Sequence, residues 1–208
     1  MIINSLVVGP FQTNCYIIKF EETLTGIIID PGDESEEIEK NINDNKFDIK
    51  YIFHTHGHLD HIAATGDMKK ITGAKTFLHK DDLPLYKNLK IQGESFGINL
   101  NDPPEIDSFF KGGEKIEFNG NEIIEIIHTP GHSPGCVCFK IGDILFSVDT
   151  LFNDGIGRTD LWGGSYDMII KSINEKLFVL NDNIMVYPGH GPKTTIGYEK
   201  SNNPFISS

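Results

Sequence analysis

The sequence predicts a layered α/β fold, on three observations. Short β-branched runs alternate with helical patterns: strands, helix, strand, helix, strand, helix, then strands, helix, strand. The 208 residues, 38% hydrophobic and 23% charged, suit one soluble domain spanning 1–208 with a buried core. Every histidine-rich segment falls where a strand gives way to a loop, and strand ends are where layered folds carry their chemistry.

The elements follow in order. "INSLVVG", "NCYIIKF" and "TGIIID" are Ile- and Val-rich strands. "DPGDESEEIEKNINDN" turns and then runs as a helix, with Ser35 as N-cap and acidic residues in its first turn. "KYIFHT" (50–55) is a short apolar strand. The helix "HLDHIAATGDMKKITG" follows, spaced by Leu59, Ile62, Ala63 and Met68 and ended by Gly73. "AKTFLH" is a strand and "KDDLPLYKNL" a helix. Residues 90–113, with four glycines and a Pro-Pro pair, read as a long loop or lid. Strands resume with "EKIEF", "NEIIEIIHT", "GCVCFKI" and "DILFSVDT". "SYDMIIKSINEKLFVL" is an amphipathic helix facing inward through Met168, Ile169, Ile173, Leu177 and Leu180, and "IMVYPGHGP" is the last strand.

Composition excludes several classes of function. The net charge of -12 repels nucleic acid, and no basic patch offsets it. No run of eighteen apolar residues exists, so no membrane span is expected, and the N-terminus lacks the pattern of a secretory signal. Cys15, Cys136 and Cys138 form no disulfide framework and read as small core residues of a cytoplasmic protein.

The chemistry is concentrated in "HTHGHLDH". Three histidines and an aspartate within residues 56–61 cannot be explained by packing, because burying them without a cation would strand polar groups. If the strand stops near Thr55, Asp60 and His61 cannot easily reach the same ion as His56 and His58. Two ions therefore serve the segment best. His54 would share a strand face with His56 and remain over. Further ligands follow later strands: His132 in "HTPGHSPG", Asp149 in "FSVDT" and His190 in "YPGHGP". The two oxygens of Asp149 could bridge the ions. Mixed nitrogen and oxygen ligands suit zinc first, and also iron or manganese. His79 and His128 read as ordinary structural histidines. Arg158, the one arginine of the chain, either grips a substrate carboxylate or orients Asp60, or else pairs with a nearby Asp154 or Asp160.

"THGHLDH" (55–61), followed in order by "HTPGHSPG", "SVDT" and "YPGHGP", resembles the metal-binding signature of the metallo-β-lactamase superfamily. The resemblance runs from "GPFQTNCYII" and "IIIDPG" to "GRTDLWGG" and "PGHGPKTTIGYEKSNNPF". It implies a four-layer αββα sandwich with metals at one edge. It also implies a first-ion set of His56, His58, His132 and Asp149, and a second of Asp60, His61, Asp149 and His190. The commonest zinc β-lactamases carry Cys where this chain has Asp149. Asp149 resembles instead the glyoxalase II type, and the overall likeness is to short glyoxalase II-like hydrolases. The implied activity is hydrolysis of a hydroxyacylglutathione-like thioester, with Asp60 and Asp149 holding a metal-bridging hydroxide. Alternatives within the resemblance are a mononuclear iron persulfide dioxygenase and a lactone or β-lactam hydrolase. A small-molecule thioester is the expected partner, with neither nucleic acid nor membrane. The family's glutathione-binding residues are replaced here by Arg158, Asp160 and Pro192. The chain ends about 18 residues after His190, so no C-terminal helical domain is expected.

Overall fold

The computed structural model of the protein describes residues 1–20, 25–118 and 122–206. The chain forms two compact units, Met1–Phe110 and Lys111–Ser208.

In the first unit, six strands lie in chain order across one sheet: β1 (Ile2–Val8), β2 (Thr13–Lys19), β3 (Thr25–Ile29), β4 (Asp48–Phe53), β5 (Lys75–His79) and β6 (Ser108–Phe110). β1 to β3 are antiparallel, and β3 to β6 run parallel. The helices are α1 (Ser35–Asp44), α2 (Leu59–Ile62), α3 (Thr65–Thr72), α4 (Leu83–Lys87) and α5 (Leu89–Ser95). Ile38 and Ile42 of α1 and Met68 of α3 pack with Ile17, Ile28 and Ile52 of the sheet. This is the sequence's helical spacing meeting its alternating strand pattern.

Four sequence expectations need correction here. Ser35 is the first helical residue rather than the cap; Glu34 precedes it at φ 49°, and its N–H donates to Asp33 Oδ1 at 2.7 Å. β4 stops at Phe53, so His54 and His56 are loop residues and do not share a strand face. The helix predicted from His58 to Gly73 is broken between Ile62 and Thr65. The Thr65 hydroxyl donates to the Ile62 carbonyl at 2.6 Å, and Ala64 N–H turns to Pro31 O at 3.1 Å. Gly73 ends α3 at φ 68° as expected. Finally, residues 90–113 are not one loop, because α5 and β6 occupy its two ends. Gly93 sits inside α5 because a Cβ there would come within 2.6 Å of Ile98 O.

In the second unit, the sheet order is β14-β13-β10-β9-β8-β7, built from β7 (Lys115–Phe118), β8 (Glu122–His128), β9 (Val137–Ile141), β10 (Ile144–Val148), β13 (Met185–Pro188) and β14 (Thr194–Thr195). Asn121, where the sequence predicts β8 to begin, lies outside the described residues. A small hairpin, β11 (Leu151–Phe152) and β12 (Gly155–Ile156), follows β10. α6 (Tyr166–Ser172) is capped by Ser165 Oγ and continues into a wider turn over Ile173–Leu177. Ile169, Ile173 and Leu177 face inward with Ile196 of α7 (Ile196–Asn202), whereas Met168 points outward. Among the described residues, no helix is long and apolar enough to cross a membrane.

Candidate metal centre

β4, an interior strand of the first sheet, ends at Phe53, and the loop and α2 that follow it carry four predicted ligands. The ring centres of His56 and His58 lie 4.8 Å apart, and those of His56 and His61 4.2 Å apart. Asp60 Oδ2 is 3.3 Å from His61 Nε2. His56 and His61 are fully buried.

Hydrogen bonds set which ring nitrogen is available. The Thr55 hydroxyl donates to Asp30 Oδ2 at 2.6 Å, so it must accept from His56 Nδ1–H, 3.0 Å away. His61 Nδ1–H donates to the same Asp30 oxygen at 3.0 Å. Both imidazoles therefore carry their proton on Nδ1 and direct the Nε2 lone pair away from Asp30. Asp30 is a residue that the sequence reading missed. It is buried at φ 52° and also accepts Thr55 N–H at 2.8 Å. Burial pushes its carboxyl above the usual carboxylate range, against the hydrogen bonds and charge of His61 and the donors of Thr55. The visible signal was an Asp ending the apolar run "IIID" just before Pro-Gly.

Three more side chains fix the loop. Thr13 Oγ1 donates to Asp60 Oδ2 at 3.0 Å. Buried Asp82 accepts Gly57 N–H at 2.9 Å. Gln92 of α5 accepts Leu59 N–H at 3.0 Å and donates to Gly57 O at 3.0 Å. No local pattern marks Thr13 or Gln92, since their roles depend on long-range contacts. Gly32 is required by close approach: a Cβ there would lie 1.7 Å from Asp60 O.

In the second unit, Asp149 Oδ2 lies 3.5 Å from His132 Nε2 and 3.6 Å from His190 Nε2. His132 Nδ1–H donates to Arg158 O at 2.8 Å, so its Nε2 lone pair faces the carboxylate. Two acceptors facing each other at that range repel unless a proton or cation lies between them. Asp149 owes its aim to local strain. β10 gains a residue between Phe146 and Val148, and Val148 sits at φ 39°, which is rare for a β-branched side chain. Such backbone costs about 1–3 kcal/mol and collects at functional sites. A Cβ on Gly157 would meet Asp149 O at 1.9 Å, so the returning β11–β12 hairpin lies directly on the ligand.

Arg158 takes one of its expected partners: its Nε and Nη2 hold Asp160 bidentately at 2.8 and 2.7 Å. That hydrogen-bonded pair pulls the Asp160 carboxyl down to about 2. The carbonyl of Arg158, rather than its guanidinium, is what reaches His132. His54, read from the sequence as the histidine left over, shares no strand face with His56. It is buried against Thr65 Oγ1 at 3.3 Å, and burial, then the His61 charge, lowers it to about 3. His79 caps a turn through Asp81 N–H, and His128 Nε2 donates to Pro134 O at 2.9 Å.

Within each unit the donors fit divalent metal. The Nε2 lone pairs of His61 and His132 are preset by hydrogen bonds on Nδ1 and lie 3.3 and 3.5 Å from the Asp60 and Asp149 carboxylates, with His190 Nε2 3.6 Å from the latter. The comparisons agree with this chemistry. Residues 8–190 match the metallo-beta-lactamase superfamily, and the chain belongs to that family. It is accordingly a metal-dependent hydrolase by class, with the α/β metallo-β-lactamase fold that the sequence led one to expect. The hydroxyacylglutathione hydrolase GloC of Haemophilus influenzae is 38% identical over 100% of this chain and 99% of its own. Among solved structures, the BLEG-1 B3 metallo-beta-lactamase matches at TM-score 0.92 and 31% identity, with 100% of both chains covered. TTHA1623 in a di-iron-bound form matches at TM-score 0.89 and 33% identity, covering 98% of this chain and 100% of that one.

Proposed function

We propose that the protein is a dinuclear hydrolase of thioesters, with zinc as its metal and a hydroxyacylglutathione-like substrate of the glyoxalase II type. The observation that carries the reading is Asp149 Oδ2, placed 3.5 and 3.6 Å from the Nε2 atoms of two different histidines. One carboxylate oxygen within reach of two imidazoles suits a ligand shared between two ions. The proposed ligand set is the one that the family's motifs imply: His56, His58, His132 and Asp149 for one ion, and Asp60, His61, Asp149 and His190 for the other. The similarity to GloC supports the thioester substrate. The three free, buried cysteines are in keeping with a cytoplasmic setting.

Bound divalent ions supply a Lewis acid and lower the pKa of water from 15.7 to about 7. The chain's own residues do the rest. Thr13 holds the Asp60 carboxylate in place through Oδ2, and Asp60 would orient the nucleophilic water. Asp30 and Arg158 O keep His61 and His132 in the tautomer that presents Nε2. The leaving group departs as a thiolate, so no general acid is required and the site favours thioesters over amides. The test is hydrolysis of S-lactoylglutathione by wild type and Asp149→Ala. Wild-type turnover and its loss in the variant are expected, and full activity in Asp149→Ala would refute the mechanism.

A second reading, β-lactam hydrolysis, is favoured by the structural match to BLEG-1. A chromogenic cephalosporin separates the two: faster turnover of the lactam than of any thioester would establish the second.

A further inference from the structure

We infer that Glu199 and Asn203, on and just beyond α7, are positioning residues for the His132–Asp149 pair, acting through the β11–β12 hairpin. The inference rests on the proposed reading of that pair as metal ligands. Glu199 is almost fully buried, yet among the described residues its carboxylate is bonded by no cation. Its carboxylate instead collects four donors: Thr194 Oγ1 at 2.6 Å, Asn153 Nδ2 at 3.5 Å, Asp154 N–H at 3.1 Å and Asn203 Nδ2 at 2.8 Å. Two of the four come from the hairpin tip. Asn203 adds a third tether, donating from Nδ2 to Gly155 O at 3.0 Å. Asp154 is held at φ 55°, an unfavourable conformation that the tethers stabilise.

The pinned hairpin has one consequence for the ligands. It leaves Asp149, turns at Asn153–Asp154 and returns so that Gly157 lies against Asp149 O, too close for any side chain. The next residue, Arg158, offers the carbonyl that accepts His132 Nδ1–H at 2.8 Å. Releasing the tip lets that carbonyl drift, and with it the tautomer and aim of His132. β11 and β12 have two residues each; Leu151 and Ile156 anchor these strands in the core, and the tethers fix the tip beyond them.

The experiment compares Glu199→Gln, Asn203→Ala and Ile196→Val with wild type. Gln keeps the shape of Glu but turns two acceptor positions into donors facing donors. Ile196 shares the apolar cluster of Leu151 and Ile156 but its side chain has no polar group, so its variant controls for lost packing with the tethers kept. Zinc affinity is read by competition with a chromogenic chelator, and the melting temperature of the metal-free protein is read alongside. The inference expects Glu199→Gln and Asn203→Ala to bind at least one zinc about tenfold or more weakly, as loss of ligand-orienting partners does, while Ile196→Val keeps wild-type affinity at a lower melting temperature. If Glu199→Gln does not fold, Asn203→Ala decides. Wild-type affinity in every folded polar variant, or losses that follow melting temperature alike in all three, would overturn this inference alone. Wild type that binds no zinc would overturn the proposed function as well.

Discussion

Asp30 bonds His61 directly and His56 through the Thr55 hydroxyl, and so sets which ring nitrogen of each carries the proton. Asp30→Asn should weaken metal binding about 10–100-fold, because an amide cannot accept from all three donors; chelator competition checks it. His54→Ala should keep both ions and His61→Ala should lose one, which metal analysis of purified variants would show. At Arg158, the hydrogen-bonded pair with Asp160 depresses that carboxyl to about 2. The unfolded value is near 3.9, so the unfolded chain binds the proton first as pH falls. The pair's contribution is therefore full above about pH 4 and is lost as pH falls through about 2. Both groups are exposed, so the contribution is small and screened by salt. NMR titration should find the Asp160 midpoint near 2 in wild type and higher in Arg158→Ala. The candidate ligands stood out in the sequence because metal chemistry restricts residue type. Asp30, Thr13 and Gln92 were not, because any hydrogen-bonding residue at the right distance could serve in their places.

α5 shows how a helix can be hidden by its composition. Gly93 lowers helix propensity and the following Pro-Pro pair signals a loop, yet Leu89 is buried and Gln92 is bonded to the ligand loop. Tertiary contact decides such a segment, and a single sequence does not display it. Gln92→Ala would leave Leu59 N–H and Gly57 O without their partner, at a cost of about 1–3 kcal/mol for the buried groups. Urea denaturation of the metal-free protein would measure it. Gly32→Ala is more severe in kind: its Cβ would fall 1.7 Å from Asp60 O, so the backbone carrying Asp60 must move. That variant should lose stability and bind zinc more weakly, whereas Gly73→Ala, whose Cβ meets nothing within 4 Å, should alter stability without altering zinc affinity. Ten strands of the two sheets were legible because β-branched runs bounded by turn residues have few other uses; β6, inside the expected loop 90–113, and the two-residue β14 were not. The short β11–β12 hairpin was not, since two-residue strands carry no period.

For the whole molecule, the chemistry rests on preset donors rather than on an unusual fold. The cysteines take no part in it: all three are buried, and burial raises Cys138 to about 11. They should resist thiol reagents in the native state. Family and fold follow from motifs spread along the chain. The most direct test of two-ion hydrolysis is the rate of S-lactoylglutathione cleavage by chelator-stripped protein as zinc is added back. The rate should rise until two equivalents per chain are present and then level off. A rate that is independent of metal, or already complete at one equivalent, would contradict a dinuclear hydrolase.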